Sequence, residues 1–213
     1  MSERWTFGVE PLTQTQELAA ALRRVTGLAM AMEADSPVVA GLIDDLLSAE
    51  KALASTAPAD LSPRIGRDVS DEQRVYLDHS RYIGAYNPGF PEYAIDVKGA
   101  IATGTVTFPL AFEGPPGIVH GGVLATFFDC AIQHHNCDVG VAGKTTSLLV
   151  EYQRPTPLLQ TLSFEIDRQV DERRITSRAQ LTLNGKPLCS ATMQAVAGDR
   201  SRLSIVSPRR VTP

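Results

Sequence analysis

Apolar residues near the start of the chain recur every three to four positions, as they do along one face of a helix. Residues Thr13–Gln16 have the spacing of a capping box and precede the apolar series Leu18, Leu22, Val25 and Leu28. Ser36-Pro37 predicts a second helix start, with serine as the N-cap and proline as the first helical residue. Helices are therefore predicted within residues 12–54, followed by a proline-bearing connection over 57–71.

Alternation of apolar and polar residues replaces the helical period from about residue 74. Turns are predicted at Asn87-Pro88-Gly89, at Gly99-Ala100 and at Asn184-Gly185, where Asn-Gly is a strong hairpin signal. The apolar segment 121–136 is predicted as a helix. Strands are predicted over residues 94–97, 101–110, 146–152, 162–170, 175–183 and 188–196. Two strands, one helix and then four strands in an antiparallel meander indicate an α+β fold, with a curved antiparallel sheet against one central helix.

The pattern divides the chain into three parts. Residues 1–70 form an N-terminal helical extension, residues 71–198 form the main domain, and residues 199–213 form a polar C-terminal tail. The extension contains no cluster of catalytic residue types. We therefore expect it to pack on the main domain or on a neighbouring subunit.

Composition narrows the function classes. The 213 residues carry a formal charge of −4, and they contain no basic stripe of the kind that nucleic-acid binding requires. No apolar run reaches the roughly 18 to 20 residues of a membrane span. The first residues lack a signal-peptide pattern, and the 3 cysteines have no metal-ligand spacing. These features predict a cytoplasmic protein with reduced thiols and without a metal.

One carboxylate, Asp129, stands in the largely apolar stretch from Val123 to Ile132. Aspartate is rarely buried in such a segment unless it is paired or used in chemistry. Gly121 and Gly122 open the same predicted helix, where free N–H groups and the positive end of the helix dipole favour a developing oxyanion. The segment therefore indicates an oxyanion site followed, two turns later, by a carboxylate.

His120-Gly121-Gly122 at the helix start, Asp129 nine residues after the histidine, and Tyr152-Gln153-Arg154-Pro155 at the next strand end form one combined motif. This motif resembles the hotdog-fold acyl-CoA thioesterases, in the branch that includes the phenylacetate-degradation thioesterases and the human thioesterase-superfamily proteins. The resemblance covers about residues 80–198. It implies a hotdog fold, in which the curved sheet wraps around the central helix.

The resemblance also implies roles for individual residues. Asp129 corresponds to the general base or nucleophile, and Gly122 to the backbone N–H donor for the thioester carbonyl. Thr145 corresponds to a hydroxyl that assists the attacking water, and His120 to a structural or carbonyl-orienting residue. Further candidates for substrate binding are Gly121, Val119, Thr146, Phe128 and Arg154. One departure is Gly114, which stands where several members have an amide side chain that holds the carbonyl or the water.

The expected substrate is an acyl-CoA, and neither a cofactor nor a metal is needed, because a carboxylate can activate water and a thiolate is a good leaving group. Gly122 and Asp129 are seven residues apart, which is about 10 Å along a helix. This distance is too long for both to act on one carbonyl group. The spacing therefore predicts a site shared across a homodimer, either alone or within a dimer of dimers.

Two other functions fit the same fold. A non-catalytic module that binds acyl-CoA or fatty acyl groups could use the N-terminal helices for regulation, since a fold does not decide a function. A hotdog hydratase would need a neighbouring aspartate and histidine, but Asp129 and His134 lie on different faces of the predicted helix. The sequence determines neither the length and type of the acyl chain nor whether its carrier is CoA or acyl carrier protein.

Overall fold

The computed structural model of the protein describes residues 13–56, 81, 83–137, 139 and 141–198. Within them, six strands form one antiparallel sheet. The strands are β1 (Tyr93–Lys98), β2 (Ile101–Thr107), β3 (Val141–Tyr152), β4 (Thr161–Asp171), β5 (Arg174–Leu183) and β6 (Lys186–Gly198). The helices are α1 (Thr13–Met30), α2 (Pro37–Thr56), α3 (Ile83–Tyr86) and α4 (Gly121–Asn136), with a 3-10 turn at Leu110–Phe112. The predicted α+β fold, with its curved antiparallel sheet and central helix, is confirmed.

The strand order in the sheet is β1-β2-β4-β5-β6-β3. The predicted hairpins at Gly99 and at Asn184-Gly185 are confirmed, and these three residues have positive φ angles of 63°, 51° and 74°. The predicted meander of the last four strands is wrong for β3, which pairs with β6 rather than with β4. Because α4 lies between β2 and β3 along the chain, β3 can enter the sheet at the edge opposite β1. It therefore forms an edge strand beside α4.

Packing between α4 and the sheet forms the core. Leu162, Phe164 and Ile166 alternate along β4 with exposed residues, so that one face of the strand is buried. Phe127 of α4 is 0% exposed and lies at the centre of this face. Its ring contacts the aromatic rings of Phe90, Tyr93, Phe108, Phe128 and Phe164. These contacts set the rotation of α4 about its axis and so determine where Asp129, two residues later, lies.

Helix α1 docks on the main domain through a buried arginine. Arg23 is 8% exposed, and its guanidinium donates hydrogen bonds to the carbonyl oxygens of Gly84 (2.7 Å), Asn87 (3.0 Å) and Phe90 (2.9 Å). Oε2 of the Glu92 carboxylate lies 3.5 Å from Nη1 of the same guanidinium. The expected packing of the extension on the main domain is therefore met by α1. On α2, by contrast, the large apolar side chains Val38, Ile43, Leu46, Leu47 and Leu53 are exposed.

The proposed boundary at residues 70 and 71 and the tail over 199–213 lie outside the described residues. The three-part division of the chain therefore remains a prediction.

Replacing Arg23 should weaken the fold. We expect Arg23→Met to lower the free energy of unfolding by about 2 kcal/mol, because three backbone carbonyl oxygens would lose their hydrogen bonds to a buried, charged guanidinium. Urea unfolding followed by circular dichroism measures the change. Arg24→Met is the matched control, since Arg24 is the exposed neighbour on the same helix and should shift stability by less than about 0.5 kcal/mol. Equal effects of the two changes would contradict the docking role of Arg23.

Candidate active site

Asp129 and Thr145 meet between α4 and β3. The Thr145 hydroxyl donates a hydrogen bond of 2.8 Å to Oδ1 of Asp129, which is half-buried on the helix. The two residues are 16 positions apart in the chain, and they come together because the edge strand β3 runs beside α4. The structure therefore brings together two of the residues that the sequence predicted, the carboxylate of Asp129 and the hydroxyl of Thr145.

A third residue of this group, Gln133, was missed by the sequence reasoning. Its Nε2 donates a hydrogen bond of 2.8 Å to Oγ1 of Thr145, and its side chain is 4% exposed. Gln133 lies one helical turn after Asp129, so both side chains occupy the same face of α4. The signal that could have found it is this spacing of four between two polar residues within an apolar segment.

The start of α4 forms a second polar group. His120 is the N-cap residue of α4, and its Nδ1 accepts a hydrogen bond of 3.0 Å from the N–H of Gly122. Nδ1 is the acceptor in this hydrogen bond, so the ring nitrogen that faces outward from the helix start is Nε2. The Tyr152 hydroxyl donates to the carbonyl oxygen of Gly121 at 2.8 Å, which ties the far end of β3 to the helix start. Among the described residues, the N–H of Gly121 has no hydrogen-bond partner.

Gly114 packs directly against the backbone of His120. A Cβ atom at Gly114 would lie 2.8 Å from Cα of His120, which is closer than real Cβ contacts. The N–H of Gly114 donates to the carbonyl oxygen of Ile118 at 2.8 Å, and this bond closes the loop before the helix. As this loop is folded, a side chain at the position of Gly114 would require the backbone of His120 to shift.

The other predicted substrate-binding residues lie in two environments. Val119 and Phe128 are 3% and 1% exposed, so their side chains belong to the core. Thr146 and Arg154 are exposed. The Thr146 hydroxyl donates a hydrogen bond of 3.0 Å to the carbonyl oxygen of Gln194, and Nη1 of Arg154 donates one of 2.6 Å to the carbonyl oxygen of Pro187. The structure does not bring these four side chains to the Asp129 group, and their role in binding substrate remains a prediction.

Cys130 follows Asp129 on α4 without being a candidate nucleophile. Burial and the neighbouring Asp129 carboxylate raise the pKa of the Cys130 thiol to about 12. A thiol with this pKa stays protonated near neutral pH, and only the thiolate is a strong nucleophile. Cys130 is therefore not expected to act as a nucleophile.

The histidines at the end of α4 are used within the fold. Nδ1 of His134 lies 2.8 Å from the Tyr93 hydroxyl, and Nε2 of His135 lies 2.9 Å from the carbonyl oxygen of Gly99. In the described part of the chain, no group of three or more His, Cys, Asp or Glu residues could hold a metal ion. No described helix is long and apolar enough to cross a membrane.

Solved structures of other proteins are similar to this chain. No protein-family model matches the sequence. A crystal structure described as a thioesterase superfamily protein is similar to this chain, with 26% identity and a TM-score of 0.70 over 89% of this chain and 94% of the other. A phenylacetic acid degradation-related protein from Ralstonia eutropha shows 19% identity and a TM-score of 0.46 over 49% of this chain and 84% of its own. A hypothetical thioesterase from Streptococcus pneumoniae, solved with coenzyme A, shows 19% identity and a TM-score of 0.46 over 56% of this chain and 91% of its own. The first of these similarities shows that the chain has the hotdog fold, which the His-Gly-Gly and aspartate motif also indicated.

Proposed function

We propose that the protein is an acyl-CoA thioesterase, which hydrolyses a thioester to a free acid and CoA. The observation that carries the proposal is the 2.8 Å hydrogen bond from Thr145 to the half-buried Asp129. A carboxylate that is held in place by a hydroxyl is suited to activate a water molecule. The similarity to a thioesterase superfamily protein over 89% of the chain supports the same class of reaction.

The reaction needs a base and a site for negative charge. Asp129 takes a proton from water, and the water oxygen forms a bond to the thioester carbonyl carbon. The resulting tetrahedral oxyanion collapses, the carbon–sulfur bond breaks, and the sulfur leaves as a thiolate that is protonated to the thiol. Alternatively, Asp129 attacks the carbonyl carbon itself, the carbon–sulfur bond breaks, and the sulfur leaves as a thiolate that is protonated to the thiol. Water then cleaves the resulting anhydride to the free acid and the Asp129 carboxylate. Both routes require the same carboxylate.

The start of α4 is the proposed oxyanion site. Backbone N–H groups at a helix N-terminus stabilise developing negative charge, and Gly121 offers one that has no partner among the described residues. The N–H of Gly122 is bonded to His120, so a substrate oxygen must share or displace that bond. In this proposal, His120 holds the Gly122 N–H in position until the thioester arrives.

A second copy of the chain completes the proposed site. Both polar groups are attached to β3, because Thr145 near its start contacts Asp129 and Tyr152 at its end contacts Gly121. The two attachment points are seven residues apart, which is about 23 Å along a strand. Strand β3 is a sheet edge, and edge strands favour pairing with another strand. An antiparallel pairing of two β3 strands would place Thr145 beside the partner's Tyr152, and Asp129 near the partner's Gly122.

The experiment that tests this function is thiol release, measured with Ellman's reagent, on a panel of short, long and aromatic acyl-CoAs. We expect turnover of at least one class at about 1 to 10³ per second, the usual range for enzymes. The same acyl groups on acyl carrier protein test the carrier. Binding by calorimetry without thiol release on any substrate would overturn the enzyme assignment and favour the acyl-binding module.

A further inference from the structure

Gln133 is a buried amide whose hydrogen bonds are only partly satisfied. Its side chain is 4% exposed, its Nε2 donates to Thr145, and its Oε1 is buried without a hydrogen-bond partner among the described residues. A buried acceptor without a partner destabilises a fold, and methionine has a similar length without this penalty. The glutamine therefore contributes something other than stability, and its one hydrogen bond points to Thr145.

This hydrogen bond determines where the Thr145 proton lies. A hydroxyl has one proton and two lone pairs. Since Oγ1 of Thr145 accepts from Gln133 at 2.8 Å, its proton is left for the carboxylate of Asp129, also at 2.8 Å. The sulfur of Met193 lies 3.9 Å from the same oxygen and is a competing acceptor. Without the amide of Gln133, the hydroxyl would be free to turn away from Asp129.

We propose that Gln133 is a positioning residue, which holds the Thr145 hydroxyl so that it donates to Asp129 and keeps one lone pair for the attacking water. This inference rests on the proposed thioesterase function. The water would then donate one proton to Asp129 and the other to Thr145, so that its own lone pair faces the carbonyl carbon. In this role Gln133 acts through Thr145, the residue to which its side chain donates a hydrogen bond.

The first test compares Gln133→Met with a matched control on the same helix. We expect Gln133→Met to lower kcat roughly tenfold with KM changed less than about twofold, because the site is misoriented but still binds substrate. The melting temperature should stay the same or rise, because the unpaired Oε1 is gone. Asn136→Leu is the control, since Asn136 is 1% exposed and also has an unpartnered amide atom, but its hydrogen bond is to Ser177. This control should keep the kcat of the natural protein.

The second test is a double-mutant cycle with Thr145→Val, which removes the hydroxyl and keeps the shape of the side chain. If Gln133 acts through Thr145, then Gln133→Met should change kcat less than about twofold in the Thr145→Val background. An undiminished tenfold loss in that background would overturn the inference. Asp129→Asn, assayed in parallel, distinguishes a failure of the proposed thioesterase function from a failure of the proposed role of Gln133. Full activity of Asp129→Asn would contradict the proposed function itself, whereas an inactive Asp129→Asn with a fully active Gln133→Met would contradict only the role of Gln133.

Discussion

Asp129→Asn is expected to lower kcat for thioester hydrolysis by about 10²- to 10⁴-fold, the usual contribution of a positioned base. Asparagine has nearly the same shape and can still accept the Thr145 hydrogen bond through its Oδ1 atom. It can neither take a proton from water nor attack a carbonyl carbon. KM should therefore change little, and thiol release on the best acyl-CoA measures both constants.

A matched control for this change is Asp167→Asn. Asp167 is half-buried on β4, and its position in the strand alternates with the buried Phe164 and Ile166, which places it on the opposite face of the sheet from α4. The control should keep the activity of the natural protein. Asp129→Asn that retains full kcat on every substrate of the panel would refute a catalytic carboxylate at this position.

Mixing inactive subunits distinguishes a shared site from one within a single chain. Gly122→Pro removes the backbone N–H of Gly122 together with its hydrogen bond to His120, at a position in the first helical turn, where proline does not break the helix. Co-refolding it with Asp129→Asn should restore about a quarter of the natural activity, since about half of the dimers are mixed and each has one intact site. Mixtures that stay inactive, although mixed dimers form, would place each site within one chain.

Gly104→Ala is expected to have the largest effect on stability, a loss of about 3 kcal/mol in the free energy of unfolding. Gly104 lies on β2 between Ile95 of β1 and Phe164 of β4. A Cβ atom there would overlap the Phe164 ring and the carbonyl oxygen of Ala94. Phe164 contacts Phe127 of α4 with a ring separation of 5.4 Å, so displacing its ring would disturb the centre of the core.

Urea unfolding measures this loss, and Gly27→Ala on α1 is the control. Among the described residues, and apart from the chain neighbours and the backbone of α1 itself, no atom lies within 4 Å of a Cβ atom added at Gly27, and the glycine has a helical backbone. Alanine there should raise stability by about 0.5 to 1 kcal/mol. Gly104→Ala is expected to lower the free energy of unfolding, whereas Gly27→Ala is expected to raise it. A difference between the two variants therefore reports the packing around each glycine rather than a general effect of alanine. An unchanged urea midpoint for Gly104→Ala would show that the Phe164 ring can move without loss.

Local signals in the sequence were sufficient to predict most helices and strands of the main domain. The Asn-Gly pair encodes a two-residue hairpin because both positions adopt positive φ angles. The predicted helix over residues 121–136 has the same bounds as α4, because the glycine pair and the apolar series after it are local features. The motif of His120, the glycines and Asp129 also indicated the family. The one-turn helix α3 was not predicted, since four residues are too few for a period to appear.

The sequence by itself determined the α+β class, the hairpins, the central helix and the candidate carboxylate, since each of these depends on residues close together in the chain. Only the tertiary structure decided that β3 pairs with β6, because strand order depends on which edge of the sheet the chain reaches after α4. The same packing brought Gln133 to Thr145 and seated Arg23 among three carbonyl groups. No periodic pattern encodes these contacts, because each joins elements that are distant in sequence and meet only when the core closes.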